Sequence, residues 1–260
     1  MTVTLPPKKI QLLGVTVDAL DHSEALRTVE KLVARPTTDL IAFANAHLLN
    51  TAWRNSAYQT ALAGHALVLN DGIGVSMAAR MYGFEFPVNL NGTDFSPAVL
   101  AMAAERGWRV AFIGSPPGVA ENAARVLAGR IPGLNVVATH HGFVDDAQSM
   151  TVADGWADAD IDLLLVGMGC PRQELWAARF SARCGASVTM SIGAFFDFAS
   201  GTVPRAPELV RDLHLEWLYR LRQEPRRLFR RYVLGNPVFL YRAVLCRLRL
   251  QPSRHSARRA

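Results

Sequence analysis

Short apolar runs recur along the chain, and between them apolar residues fall three and four positions apart. The runs at 39–43 (DLIAF), 66–69 (ALVL), 109–113 (RVAFI), 135–139 (NVVAT), 161–166 (IDLLLV) and 187–191 (SVTMS) read as strands. From the third onward their starts lie 26 residues apart, the spacing of repeated strand–helix units. The stretches between them read as helices. HSEALRTVEKLVA puts Ala25, Val29, Leu32 and Val33 on one face after Ser23, and TDFSPAVLAMAAERG takes Thr93 or Asp94 as its cap and stops at Gly107. Strand–helix alternation predicts a Rossmann-like α/β fold, a mostly parallel doubly wound sheet with helices on both faces.

In such sheets ligands bind where the strands' carboxyl ends open into loops. The segments to inspect are therefore ANAHLLN (44–50), NDGIG (70–74), GSPPG (114–118), HHGF (140–143), GMGCPRQE (167–174) and IGAFFDFASG (192–201). All are predicted to converge on one rim.

From about residue 205 the strand signal stops. Two or three helices are expected, broken near Pro225 and Pro237, each apolar on one side and arginine-rich on the other. The expected organisation is an α/β catalytic domain over 1–204, a helical appendage over 205–250 and a disordered basic tail over 251–260.

Charge sharpens that division. Residues 205–260 hold 14 arginines against four acidic residues, a balance of +10, while residues 1–204 carry −4. A basic carboxyl-terminal segment suits nucleic acid, anionic lipid or a phosphorylated ligand. Cys170, Cys184 and Cys246 lack the spacing of a zinc site or disulfide framework and fit a reducing compartment. MTVTLPPKKIQLLGV places prolines and lysines where a leader needs an apolar core, and no apolar run approaches the roughly 18–20 residues of a membrane span. The chain is expected to be soluble or to lie on a membrane surface.

Candidate chemistry concentrates on the rim. Asp71, behind a strand and before Gly72, suits either a turn-forming aspartate or a carboxylate that takes a proton from an attacking hydroxyl. The DADID aspartates (158–162) look like a metal motif, but they sit at the amino end of their strand, so no metal is expected. Gln173 and Glu174 fall at a helix amino terminus, as ligand groups or as ordinary capping residues, and Gly167 and Gly169 let backbone approach a ligand. His47, and less so His140 and His141, are weighed as ligand contacts against packing or capping. Arg227 and Arg230 share a helix face, and Arg220 one helix earlier is placed to join them. Guanidinium groups of this kind neutralise a departing diphosphate without a metal.

Taken together, ANAHLLN, NDGIGV, NGTD, HHGF, GMGCPRQELW, GAFFDFASGTVPRAP and LEWLYRLRQEPRRLFRRY resemble the WecG/TagA/CpsF glycosyltransferases (glycosyltransferase family 26) over residues 10–235. The resemblance implies an inverting, metal-independent enzyme without a cofactor. Such an enzyme moves a sugar from a UDP-sugar donor to a polyprenyl-diphosphate-linked acceptor and forms a β-linkage for a surface polysaccharide. It implies Asp71 as general base and Asn45 and Gln173 as polar active-site residues. Arg220, Arg227 and Arg230 are implied as arginines that close over the diphosphate, on an appendage that meets the membrane. The matched segments also nominate His47, Asn91, Thr93, Asp94, Gly142, Phe143, Gly167, Glu174, Gly193 and Asp197 as substrate-binding. Phe43 and Asn89 depart from the wall-teichoic-acid members, which carry threonine and arginine there, so the donor stays open between N-acetylmannosamine and glucose types.

The expected setting is the cytoplasmic face of the cell membrane, with anionic lipid as a partner through the carboxyl-terminal helices. Nucleic acid is not an expected partner, and the resemblance extends to homo-oligomers. Two other classes stay in view. A nucleic-acid-binding protein would use the same basic tail but show aromatic interleaving, and a Rossmann-type NAD or S-adenosylmethionine enzyme would show a full glycine fingerprint.

Overall fold

The computed structural model describes residues 8–207, 210 and 216–250, apart from the side chains of Arg227, Arg249 and Leu250. The expected basic tail over 251–260 lies outside the described residues.

Eight strands form one sheet: β1 (Lys9–Leu12), β2 (Val15–Asp18), β3 (Asp39–Ala44), β4 (Leu67–Asn70), β5 (Arg109–Gly114), β6 (Asn135–His140), β7 (Leu163–Gly167) and β8 (Val188–Ser191). Their order is β1-β2-β4-β3-β8-β7-β5-β6, parallel throughout except for the β1–β2 hairpin. The six expected strands are thus present within two residues of their expected starts, and their carboxyl ends share one edge. Both faces of the central strands are covered, which is why they read as continuous apolar runs rather than alternating ones.

Alternate side chains of β3 go to opposite layers. Ile41 and Phe43 pack with α1 (His22–Val33), α5 (Gly92–Arg106), α6 (Val119–Arg130) and α9 (Phe195–Ala199), whereas Ala42 and Ala44 pack with α2 (Ala46–Arg54), α3 (Ser56–Ala63) and α4 (Ile73–Met81). On the same side as the second layer, α7 (Asp146–Trp156) and α8 (Arg172–Phe180) cover β5 and β7.

Two helix starts differ from expectation. Asp21, not Ser23, caps α1, through a reciprocal capping box with Glu24. Asn91, not Thr93 or Asp94, caps α5 by accepting from the Asp94 N–H.

The carboxyl-terminal segment forms α10 (Glu216–Gln223), α11 (Pro225–Phe229), a π-helical turn over Arg230–Leu234, and α12 (Gly235–Leu250). Pro225 opens α11 as expected. Pro237 does not break the chain but lies in the first turn of α12. A proline ring clashes with the carbonyl four residues earlier and has no N–H to offer it. The chain absorbs this by widening the preceding turn, so that the Gly235 N–H reaches the Arg230 carbonyl, five residues back. The widened helix is then seated on the body. Phe239 and Ala243 are fully buried among α2 and α4 residues, Asn50 Nδ2 donates to the Gly235 carbonyl at 2.8 Å, and Tyr82 Oη donates to the Ala243 carbonyl at 2.8 Å.

Candidate active site

The carboxyl ends of β3 and β4 place two polar side chains next to one another. Ala44 pairs with Asn70 in the ladder, and the Asp71 N–H extends it by donating to the Ala44 carbonyl at 2.9 Å. The next residues on the two strands, Asn45 and Asp71, are therefore neighbours, and Asn45 Nδ2 donates to Asp71 Oδ2 at 3.1 Å.

Asn45 has its orientation fixed by a second task. As N-cap of α2, its Oδ1 accepts from the His47 and Leu48 N–H groups at 3.1 and 3.0 Å, which leaves the amide nitrogen facing Asp71. Gly72 then turns the chain into α4 with φ of 91°, a conformation that strains any L side chain, while its N–H is held by Asn89 Oδ1 at 2.7 Å. Asp71 is a turn residue as well as a candidate base. The same turn is what presents its carboxylate to the cleft.

That cleft measures about 760 Å³ and runs between the β3–β4 rim and the carboxyl-terminal helices. Of the expected residues it brings together Asn45, His47, Asp71, Asn91, Thr93, Asp94 and Arg220. It adds Trp217, Arg231, Tyr232 and Asn236, which sequence reasoning missed, and Asn89, noted earlier only as a departure. Asp71 Oδ1 accepts no hydrogen bond from a described residue. Burial pushes the Asp71 carboxyl above its usual range, and Asp94 adds to this; the Asn45 hydrogen bond and the charges of Arg231 and Arg220 oppose it. Glu216, on the same wall, is raised by burial too. Burial, with Arg231 nearby, lowers His47 to about 4, so its imidazole is neutral at physiological pH.

The arginines point inward. The Nε atoms of Arg220 and Arg231 are buried without a hydrogen-bond partner, and the Arg220 guanidinium lies over the Phe198 ring at 5.1 Å. Arg231 lines the cleft, whereas Arg230, one residue earlier in the π-helical turn, is exposed and outside the cleft lining. Arg227 belongs to α11 by its backbone, and its side chain lies outside the described residues. Asp94 is held by Asn91 Nδ2 at 2.7 Å and paired with Arg205.

Other expected residues are not in this cleft. Gln173 is buried with its side-chain amide fully engaged: Oε1 accepts from the Gly169 and Gly193 N–H groups, and Nε2 donates to Glu174 Oε1 and the Ser191 carbonyl. Glu174, also buried, accepts from Tyr58 Oη at 2.9 Å, and burial raises its carboxyl. Both side chains are held by protein partners at the start of α8. Gly167 and Gly142 serve close packing between loops. A Cβ on Gly167 would lie 2.9 Å from the Phe196 ring, and one on Gly142 would lie 2.9 Å from Gly114 Cα. Gly193 supplies the N–H that Gln173 holds. Phe143, 63% exposed, and half-buried Asp197 stand on the neighbouring β6 and β8 part of the rim. Phe43 is buried against Phe95 and Gly92 rather than in the cleft.

The DADID aspartates lie at the amino edge of β7, where Asp162 accepts from the Arg109 N–H. Among the described residues no three His, Cys, Asp or Glu side chains converge as a metal set would. No helix among them is long and apolar enough to cross a membrane.

An open carboxylate facing arginines at the carboxyl rim of a parallel sheet suits the transfer of a group that leaves as an anion. The sequence model of the Glycosyl transferase WecG/TagA/CpsF family matches residues 10–253. An N-acetylglucosaminyldiphosphoundecaprenol N-acetyl-beta-D-mannosaminyltransferase of Bacillus spizizenii is 31% identical over 187 residues, 72% of each chain. The enzyme of the same name from Staphylococcus aureus is 26% identical over 248 residues, 95% of this chain and 96% of its own. The chain is a glycosyltransferase and belongs to the WecG/TagA/CpsF family.

Proposed function

We propose that this enzyme transfers a sugar from a UDP-sugar to a polyprenyl-diphosphate-linked sugar acceptor, with inversion and without a metal. The observation that carries the reading is the pairing of Asp71, open on Oδ1, with the buried, unpartnered Nε atoms of Arg220 and Arg231 across one cleft. Asp71 takes the proton of the acceptor hydroxyl as that oxygen attacks the anomeric carbon from the face opposite the diphosphate. The anomeric bond to the diphosphate breaks, and the two guanidinium groups stabilise the charge on the departing UDP. Direct displacement inverts the anomeric centre, and two fixed cations do for the leaving group what a divalent ion does elsewhere.

Asn45 orients the base, and neutral His47 and Asn89 are available to sugar hydroxyls. Phe143, an exposed ring beside backbone packed tightly at Gly114 and Gly142, offers a face for the uracil, with Asp197 on α9 after β8. The acceptor type follows the relatives' names, and donors of the N-acetylmannosamine and glucose types both remain in the proposal.

Docking to the cytoplasmic face of the membrane is supported by α12. Leu234 just before it, then Val238, Tyr241 and Leu248, form an exposed strip at helical spacing, with Tyr241 64% exposed. Two of its arginines turn to the body instead: Arg242 Nη1 donates to Asn50 Oδ1 at 2.7 Å, and Arg247 lies over the Tyr82 ring at 5.9 Å. An apolar outer face suits lipid better than nucleic acid.

The test offers a panel of UDP-sugars with a polyprenyl-diphosphate-linked N-acetylglucosamine and reads UDP release. Release that depends on both substrates supports the proposal; release with neither donor type overturns it.

A further inference from the structure

The walls of the cleft differ in character. Its partly buried residues Asn45 and Asp71 are polar, whereas exposed Ile73 and Met77 make an apolar mouth. Ile73 and Met77 stand one turn apart on α4 and line the cleft, yet they are 47% and 45% exposed. Leu240 of α12, the helix packed on α4, lines the same cleft. Large apolar side chains left open beside a charged site mark a surface that meets an apolar ligand. At about 100° per residue, Leu240 adjoins Val244, and beyond these come Pro237, Leu248 and Tyr241. Apolar surface therefore runs from the cleft mouth to the outer face of α12 with no charged residue in between.

We infer that this mouth, built by Ile73, Met77 and Leu240, is the subsite for the first isoprene units of the acceptor's polyprenyl chain. The inference rests on the acceptor class proposed above and adds where its lipid goes. The acceptor's sugar reaches the polar interior beside Asp71, while Arg220 and Arg231 serve the donor's diphosphate. The chain crosses the apolar mouth and continues along α12 toward the bilayer. The enzyme thus engages its acceptor while most of the lipid stays in the membrane.

The test is the double variant Ile73→Ser with Met77→Gln, at positions exposed enough for the fold to tolerate polar groups. Two acceptors carry the same sugar diphosphate, one on a long polyprenol and one on a methyl ester. Both are offered in the same detergent, so that vesicle docking plays no part. The wild type is expected to favour the polyprenyl acceptor in kcat/KM, and the variant to lose about tenfold of that preference. A wild type with no preference, or a variant that keeps it, overturns the inference and leaves the transferase reading standing. A wild type that transfers to neither acceptor overturns both.

Discussion

Two polar clusters sit on the same rim of the sheet and behave in opposite ways. At the ends of β3 and β4, Asp71 keeps an oxygen free and faces arginine nitrogens without partners. At the ends of β7 and β8, Gln173 has every side-chain donor and acceptor engaged, and Glu174 is shared between Gln173 and Tyr58. Both motifs look like active-site polarity in the sequence. What separates Asp71 from Gln173 is unfilled hydrogen-bonding capacity, which the first can offer a ligand and the second cannot without giving up a protein partner. Removing a member of the first should cost activity, and removing a member of the second should cost stability.

The largest expected effect is on Asp71→Asn. Without a base, kcat is expected to fall about 10³-fold, within the usual range for general-base catalysis. Stability should move the other way. The raised carboxyl means that the folded protein binds this proton more tightly than the unfolded chain does. Its contribution to stability is present at low pH and lost as pH rises through the raised value. At neutral pH the asparagine variant is therefore expected to melt at a higher temperature. That gain should shrink as pH is lowered. A variant with lower activity and a lower melting temperature would break the comparison.

Gln173→Ala is the mirror test. It strands the Gly169 and Gly193 N–H groups and one side of Glu174, so a loss of about 3 kcal/mol is expected, read as a lower urea midpoint at unchanged slope. An unchanged midpoint with kcat abolished would move Gln173 into the chemistry. Next in size is Arg231→Gln, with kcat expected to fall about 10²-fold, as when one preorganised donor to a developing anion is removed. Arg230→Gln, one residue away but exposed, is expected to stay within about twofold of wild type in detergent. Equal losses at both positions would remove the special place given to the π-helical turn.

These cases also explain how much was legible beforehand. The central parallel strands were readable because strands buried on both faces leave unbroken apolar runs, edge strand β6 because it repeats their spacing, and the rim followed from their common direction. The place of Asp71 on the rim was readable because it directly follows β4. The β1–β2 hairpin was passed over, although KIQL and VTVD carry a two-residue period. Its turn is Leu13-Gly14, with φ of 49° and 83°, and leucine is not a residue expected in the left-handed region. The inward turn of Gln173 was not readable, because its partners arrive from two loops that meet only in the folded sheet. Nor was the position of Arg231 in the cleft lining with Arg230 exposed beside it. A three-apart pattern assumes an unbroken α-helix, and the residue that widens the turn, Pro237, lies further along the chain.

The smallest effect tests the electrostatics of the open cluster most directly. A general base works only when deprotonated, so activity falls as pH drops through the Asp71 value, and the acid limb of kcat/KM is expected above the usual aspartate value of about 3.9. Asn45 stabilises the carboxylate through its Nδ2, while its Oδ1 caps α2. Asn45→Ser keeps an oxygen for the cap and loses the donor, so the acid limb should move to still higher pH. Asp94→Asn removes a neighbouring negative charge that disfavours ionisation, so the limb should move to lower pH. Opposite displacements from two substitutions beside one carboxylate are what a single titrating base requires. Displacements of the same sign, or a limb unmoved by either, would show that another group controls the acid side of the profile.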